Sequence, residues 1–311
     1  MYLSDETVVN YLAGFTLLAF PIFGVAWGTW GIIWGVLLLI AVFLFGRKKG
    51  PLLTMILMMV GYGIALAFYG ISSVGQMSFI PFAGLLGVLG EKRNWPIRVT
   101  FFWGAILAAL LGALPTLPFI SVGLDTQTAN NVVNMTIQQY QSSGILTAMQ
   151  QQGITELQVK NLLQQGIHFY VLIIPSLAAI GASLEFGLVF YGVKLWLKDK
   201  DGWIPFTRWR LPWYAVWGAV LGISFYLLGD QFSWTILRGI GINLMIFYAA
   251  LTMVLGISLY LYMLQSPKIP RFIKWILIIV SFFYFFFSIV SIIMFGLFDI
   301  VFNFRRLPEE K

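Results

Sequence analysis

Long apolar runs separated by short basic clusters set the pattern of this chain. Residues 8–46 and 51–90 each hold about 40 positions without a single charge. As helix, at 1.5 Å per residue, either run is long enough to cross the roughly 30 Å hydrocarbon core of a bilayer twice. Each therefore predicts a pair of antiparallel helices. The first pair turns near Pro21–Gly24, and the second near Ser72–Gln76, where polar residues and Gly75 interrupt the run. Residues 99–121 and 167–193 predict an outgoing and a returning helix, and 211–229 with 234–264 predict another such pair. Residues 275–304 would span about 45 Å, too long for one pass and short for two. One tilted helix or two short passes remain open there.

The pattern changes between residues 122 and 166, a Gln- and Asn-rich insertion. Val133, Ile137 and Tyr140 fall on one face of a short helix at i, i+4 and i+7. Thr155 and Gln158 have the spacing of a capping box and start a second helix before Leu157, Leu162 and Leu163. A helical hairpin covering one mouth of a bundle is expected.

Basic residues give the hairpins a direction. They cluster at Arg47–Lys49, at Lys92, Arg93 and Arg98, between Lys194 and Arg210, between Lys268 and Lys274, and at Arg305, Arg306 and Lys311. Of the nineteen, only Lys160 and Arg238 lie elsewhere. Cytoplasmic loops of multi-pass proteins are enriched in Lys and Arg, so the four internal clusters are placed inside and 122–166 outside. By parity the amino terminus is cytoplasmic, and Arg305 and Arg306 favour a cytoplasmic tail. Trp95, Trp196, Trp209, Trp213, Trp234 and Trp275 stand near the expected helix ends, as an interfacial aromatic belt requires.

Composition agrees with this reading. The chain is 59% hydrophobic and 10% charged, against about 25% charged in soluble domains. An all-α polytopic integral membrane protein of about 8–10 transmembrane helices follows, with residues 1–311 forming one membrane domain in the cell inner (plasma) membrane. The net charge of +7 belongs to the cytoplasmic loops rather than to a nucleic-acid surface. Two acids and no base precede the first apolar run, unlike a cleaved signal peptide, so the first helix is expected to be retained. The lack of cysteine and the single histidine, His168, remove disulfides, thiolate chemistry and His or Cys metal clusters. No phosphate-binding loop, zinc-protease pair or nucleophile elbow occurs. Neither an enzyme nor a cofactor is expected, and any active transport would draw its energy from elsewhere.

Polar groups within the apolar runs are the candidate site residues, because an ionisable side chain at membrane depth costs at least about 2.5 kcal/mol. Glu185 lies nine residues before Lys194 and calls for a polar or cationic partner. Arg238 follows Trp234 near the outer face, where it can snorkel or stack on an aromatic ring. Asn243, one turn deeper, suits an interhelical hydrogen bond. A ligand cavity lined by Arg238 and Asn243 beneath the hairpin would mark a solute-binding protein. Asp299, Asn303 and Arg306 share one face if the last helix continues through them. Asp299 is expected to anchor that helix on backbone amides or on an arginine of a cytoplasmic loop. Gly24 with Gly28, and Gly31 with Gly35, have the spacing that lets helix backbones approach in lipid, either within the chain or against a membrane-protein partner. Gly218 and Gly222 repeat it.

GLFDIVFNFRR at the end of the chain resembles the terminal motif of the YybS-like family of bacterial multi-pass membrane proteins. IPFTRWRLPWYAVWGAVLG and GINLMIFYAALTMVLGISLY are similar to two further stretches of that family. The resemblance implies a likeness to the substrate-binding components of energy-coupling factor transporters, which capture vitamins from outside and rely on partner ATPases. Ala13 and Ala19 depart from the A-x-x-x-A spacing that such components often use for coupling. The two functions consistent with the sequence are a solute-binding transport component and a non-catalytic scaffold, assembly or regulatory subunit. Their partners are the lipid bilayer, with a small-molecule solute or a membrane protein respectively.

Overall fold

A computed structural model describes residues 2–27, 31–121, 126–197 and 204–307. Every regular element among them is helical. In chain order these are α1 (Tyr2–Ala26), α2 (Gly31–Lys49), α3 (Pro51–Tyr69), α4 (Pro81–Lys92), α5 (Ile97–Ala113), α6 (Pro118–Ser121), α7 (Thr126–Ser142), α8 (Ile145–Gln151), α9 (Glu156–Trp196), α10 (Val216–Gln231), α11 (Thr235–Gln265), α12 (Arg271–Phe283) and α13 (Phe285–Phe302). Seven of them, α1, α2, α3, α5, α9, α11 and α13, are long and apolar enough to cross a membrane. α4, α10 and α12 are shorter, with 12, 16 and 13 residues.

Proline starts several of these helices. Pro51 and Pro81 occupy the first turns of α3 and α4, while Pro96 and Pro270 cap α5 and α12. At those positions the missing N–H costs nothing and the fixed φ suits a helix. Inside α1, however, Pro21 does not turn the chain as expected. The helix runs through it to Ala26, and the next helix begins at Gly31. Gly28 lies outside the described residues, as do Lys198, Lys200 and Lys311. The second turn is where the polar interruption placed it, a 3-10 segment from Ile71 to Gln76.

α1 to α5 and the inner part of α9 share one core, centred on Leu17, Leu39, Phe43, Met58, Phe186 and Phe190. α10, α11 and α13 pack beside it around Leu211, Ala215, Leu255 and Ile300. Outward-facing residues such as Leu188 and Phe286 are strongly exposed, as expected where lipid and not water is the surroundings.

The insertion folds as expected at its capping box, with the Gln158 N–H donating to Thr155 Oγ1 at 3.3 Å and the Thr155 N–H donating to Gln158 Oε1 at 2.8 Å. Its second helix does not end at residue 166. α9 continues for 41 residues, about 62 Å, because the change from polar to apolar side chains breaks no backbone bond. Val133 and Ile137 of α7 pack with Leu146, Val159, Leu163 and Ile167 in a small core of their own. The hairpin therefore rests on the protruding end of α9.

Residues 275–304 divide at Tyr284, where φ −113° and ψ 51° end α12 and begin α13. The chain beyond α13 comes back to the loop between α9 and α10, where the Arg305 guanidinium donates to the carbonyls of Thr207 and Trp209. Arg47 and Lys194 meet at Glu91, and Arg98 and Arg210 line one cavity. These clusters therefore share one end of the bundle, the basic end.

Candidate functional site

Glu185 faces α2 at Gly35, where the helix carries no side chain. A Cβ added to Gly35 would stand 2.9 Å from Glu185 Oε1 and 3.1 Å from Ser78 Oγ. Both polar atoms gather on the space that Gly35 leaves. Gly35 and Ser78 also line a cavity of about 20 Å³, together with Phe20, Pro21, Gly24, Gly31, Trp34, Leu38, Tyr62 and Met77; Glu185 stands beside it and is not one of its walls. Such a volume holds one water-sized occupant. Three of the four glycines read as a packing seam thus line the cavity.

Three elements set its depth. Glu185 is nine residues from Lys194, and Gly35 is twelve from Arg47, distances of about 14 and 18 Å along their helices. α4, starting at Pro81 just after Ser78, ends at the basic end with Lys92, about 16 Å away. All three place the cavity near the middle of a roughly 30 Å hydrocarbon core. The irregular stretch before α4 therefore reaches membrane depth, where non-helical backbone is tolerated only against protein or a cavity. The Tyr62 hydroxyl donates to the Ser78 carbonyl and satisfies part of that backbone.

Three polar atoms around this space are buried and make no hydrogen bond among the described residues: Trp34 Nε1, Ser78 Oγ and Glu185 Oε1. A buried polar atom without a partner costs about 1–3 kcal/mol. The polar or cationic partner expected for Glu185 is not found for its Oε1 among the described residues, and the carboxyl stands against Gly35, which lines the cavity.

The other expected residues are placed separately. Asn243 uses its whole carboxamide on α9 and its own helix. Its Oδ1 accepts from the Ser176 N–H at 2.8 Å, and its Nδ2 donates to Leu172 O at 2.8 Å and to Gly239 O at 2.9 Å. Arg238 pairs with Asp230 at 3.4 Å, with both side chains about half exposed, and lies 5.7 Å from the Tyr226 ring centre. Neither lines the cavity at Gly35, which lies on other helices.

Asp299 takes an arginine of its own tail. Arg305 Nε and Nη2 donate to Asp299 Oδ2 at 3.0 and 2.6 Å, and Arg305 Nη1 donates to Ser258 Oγ and Thr207 O, each at 2.7 Å. The expected face Asp299–Asn303–Arg306 does not form, because Asn303 is left-handed at φ 48° and ends the helix. That reversal turns Arg305 back onto the acid. A loop arginine does join the arrangement, since Arg210 Nη2 donates to Ile300 O at 3.2 Å.

Sequence reasoning missed Trp34, Tyr62 and Ser78. The available signal was the length of α4: an apolar helix of 12 residues ending at Lys92 cannot reach the far side, so the serine before it must lie within the membrane.

Fold and site together define an all-α polytopic membrane protein with a small, mostly apolar cavity inside its bundle, edged by buried polar atoms. A family model described as "Predicted membrane protein (DUF2232)" matches residues 14–300, and the chain belongs to that family. No curated protein and no solved structure matches it.

Proposed function

We propose that this membrane protein is a transport component whose ligand site is the space between Glu185 and Ser78 at Gly35, beside the midplane cavity, and that the ligand is a small monovalent cation. The observation that carries this reading is the Glu185 carboxyl oxygen, buried without a hydrogen-bond partner among the described residues and facing Ser78 across the space left by Gly35. Ionisable groups at that depth mark ion and solute pathways, and coupling-ion sites recur at the midplane beside interrupted helices. The chemistry favours one positive charge. A single carboxylate and a hydroxyl are hard oxygen donors, and no group of three acidic, His or Cys side chains suited to a divalent metal occurs among the described residues. A space of about 20 Å³ is too small for a vitamin-sized solute, so the transport expectation is kept and its ligand replaced.

In this reading the basic end faces the cytoplasm, and the α7–α8 hairpin faces outward, following the enrichment of inner loops in Lys and Arg. Glu185 supplies the counter-charge, Ser78 a neutral donor oxygen, and Gly35 the room. The test is thermal stability of the purified chain against lithium, sodium, potassium and ammonium, compared with Glu185→Gln. Selective stabilisation by one cation, lost in the variant, is the expected outcome.

A further inference from the structure

The three segments that meet at Gly35 meet again at the basic end. Glu91, next to the last residue of α4, accepts hydrogen bonds from Arg47 Nε and Nη2, each at 2.6 Å, and stands 3.3 Å from Lys194 Nζ. Arg47 belongs to the last turn of α2 and Lys194 to the last turn of α9. Those two helices carry Gly35 and Glu185, and Ser78 directly precedes α4. We infer that this ion cluster is the latch of an inner gate, which shuts the space between Glu185 and Ser78 from the basic end; the inference rests on the cation reading of that space.

What the gate closes lies between the two meeting points. Phe43 on α2, and Phe186 and Phe190 on α9, fall along their helices between the residues of the cation space and those of the ion cluster. All three are fully buried. Their ring centres are 6.1 Å apart for Phe43 and Phe186, and 5.7 Å apart both for Phe43 and Phe190 and for Phe186 and Phe190. Rings packed at that spacing leave no room for an ion with its water. Lys194 Nζ lies 5.5 Å from the centre of the Phe190 ring, a cation-π contact that seats the latch directly on this plug.

α4 has the build of the moving part. It is 12 residues long and follows irregular chain at membrane depth. A Cβ on Gly84 would stand 2.6 Å from Leu39 Cδ1, and one on Gly87 would stand 2.7 Å from Phe43 Cε1. Glycines at these positions put no side chain between the ridges of α2, so α4 can shift along that face without unpacking a knob from a hole. Glu91 ties its inner end to both neighbours. Charge suits a contact that must open: a partly buried ion cluster gains little over an apolar one in stability, and its best-attested use is as a switch. The outer end of the segment is gripped differently. The Tyr62 hydroxyl donates to the Ser78 carbonyl, and its ring stacks 5.8 Å from that of Phe79. Release of Glu91 therefore frees the inner end of α4 while Ser78 stays at the cation space.

The chain has no native thiol, so Ser78→Cys places a single reactive group in the cation space. Its labelling by an impermeant, positively charged methanethiosulfonate is followed by mass spectrometry of the intact protein. The reagent is applied to intact cells and to inverted membrane vesicles, which present the basic end in the orientation proposed above. Four backgrounds are compared: the otherwise unchanged chain; Glu91→Gln, which removes the charge and keeps the shape; Glu91→Asp, which draws the carboxylate back by one methylene; and Lys92→Gln, which removes an exposed charge beside the latch.

The expected result is labelling in vesicles that accelerates at least tenfold in Glu91→Gln, does not change in Lys92→Gln, and stays slow in intact cells throughout. Unchanged labelling in Glu91→Gln, equal acceleration from both faces, or the same acceleration in Lys92→Gln overturns the gate. Glu91→Asp, expected to accelerate labelling from the basic end as well, decides the matter should Glu91→Gln fail to fold. The readout needs no bound cation, which keeps the two failures apart. A wild type that responds to a cation while Glu91→Gln labels no faster overturns the gate alone. Faster labelling from the basic end, with no cation response in wild type, supports the gate and overturns only the reading of what passes it.

Discussion

Asn243 on α11 occupies the gap in hydrogen bonding that Pro175 opens in α9. Proline pushes the preceding turn apart and cannot donate. Ser176 N–H and Leu172 C=O, four residues apart and natural partners in an unbroken helix, are each bonded at 2.8 Å to the Asn243 carboxamide. One side chain thus replaces a backbone bond and ties the two halves of the bundle together.

Asn243→Ala strands both backbone groups and is expected to cost about 2–6 kcal/mol, at 1–3 per buried unsatisfied group. In a Pro175→Ala background α9 can close its own bond, so the same change should cost less than half as much. A double-mutant cycle on thermal unfolding in detergent measures the coupling. An undiminished penalty in that background would show that Asn243 does not serve the proline gap.

Asp299 and Arg305 should behave as a buried pair whose members cannot be removed singly. Their side chains are 2% and 0% exposed, and breaking such a pair costs about 3–5 kcal/mol. Arg305→Ala is expected to be the more damaging, since it also releases the carbonyls of Thr207 and Trp209 and the hydroxyl of Ser258. Unfolding curves of Asp299→Ala, Asp299→Asn and Arg305→Ala provide the check, with Asn expected to lose least because it still offers an acceptor oxygen. Equal, negligible effects would contradict a structural role for the tail.

The α11–α13 seam gives a steric prediction. A Cβ on Gly296 would press on the backbone of Thr252 and Gly256, and one on Gly256 would press on Ile292. Backbone cannot move aside as a side-chain end does, so Gly296→Ala should destabilise by about 1–3 kcal/mol. Gly63→Ala meets nothing within 4 Å and should be neutral or slightly stabilising through helix propensity. Thermal midpoints of the two variants, measured side by side, decide it.

Helices and their loops were legible because apolar length and basic clustering are properties of consecutive residues. α2, α3, α10 and α11 lie close to the expected spans for that reason. The site was legible only in its acid. Glu185 stands out against its run, but Gly35, Trp34 and Ser78 acquire meaning from which helix faces them. Glycine at four-residue spacing reads the same whether the space it leaves takes a neighbouring backbone or a carboxyl group. The tail shows a similar limit: whether Arg305 or Arg306 meets Asp299 depends on the left-handed turn at Asn303, which helical periodicity cannot register.

Membrane orientation is open to direct chemistry, because the chain has no native thiol. Single cysteines at Lys48, Gln139 and Arg306 are treated with an impermeant maleimide in intact cells. Labelling at 139 alone is expected, with 48 and 306 reacting only after the membrane is opened. Labelling of 306 but not of 48 from outside would contradict the return of the tail to the basic end.

The central claim is that the space between Glu185 and Ser78 at Gly35 holds a small cation. Its most direct measurement is the thermal unfolding of wild type, Glu185→Gln and Gly35→Ala across a concentration series of each monovalent cation. A ligand bound only by the native state stabilises by about 2.7 kcal/mol at a hundred times its dissociation constant. The expected result is a stabilisation of wild type that rises with one cation beyond the others. It should be absent in Glu185→Gln, which removes the charge, and in Gly35→Ala, which fills the space and displaces the carboxyl by a few tenths of an ångström while removing no polar group. Identical cation responses in all three proteins would contradict the account.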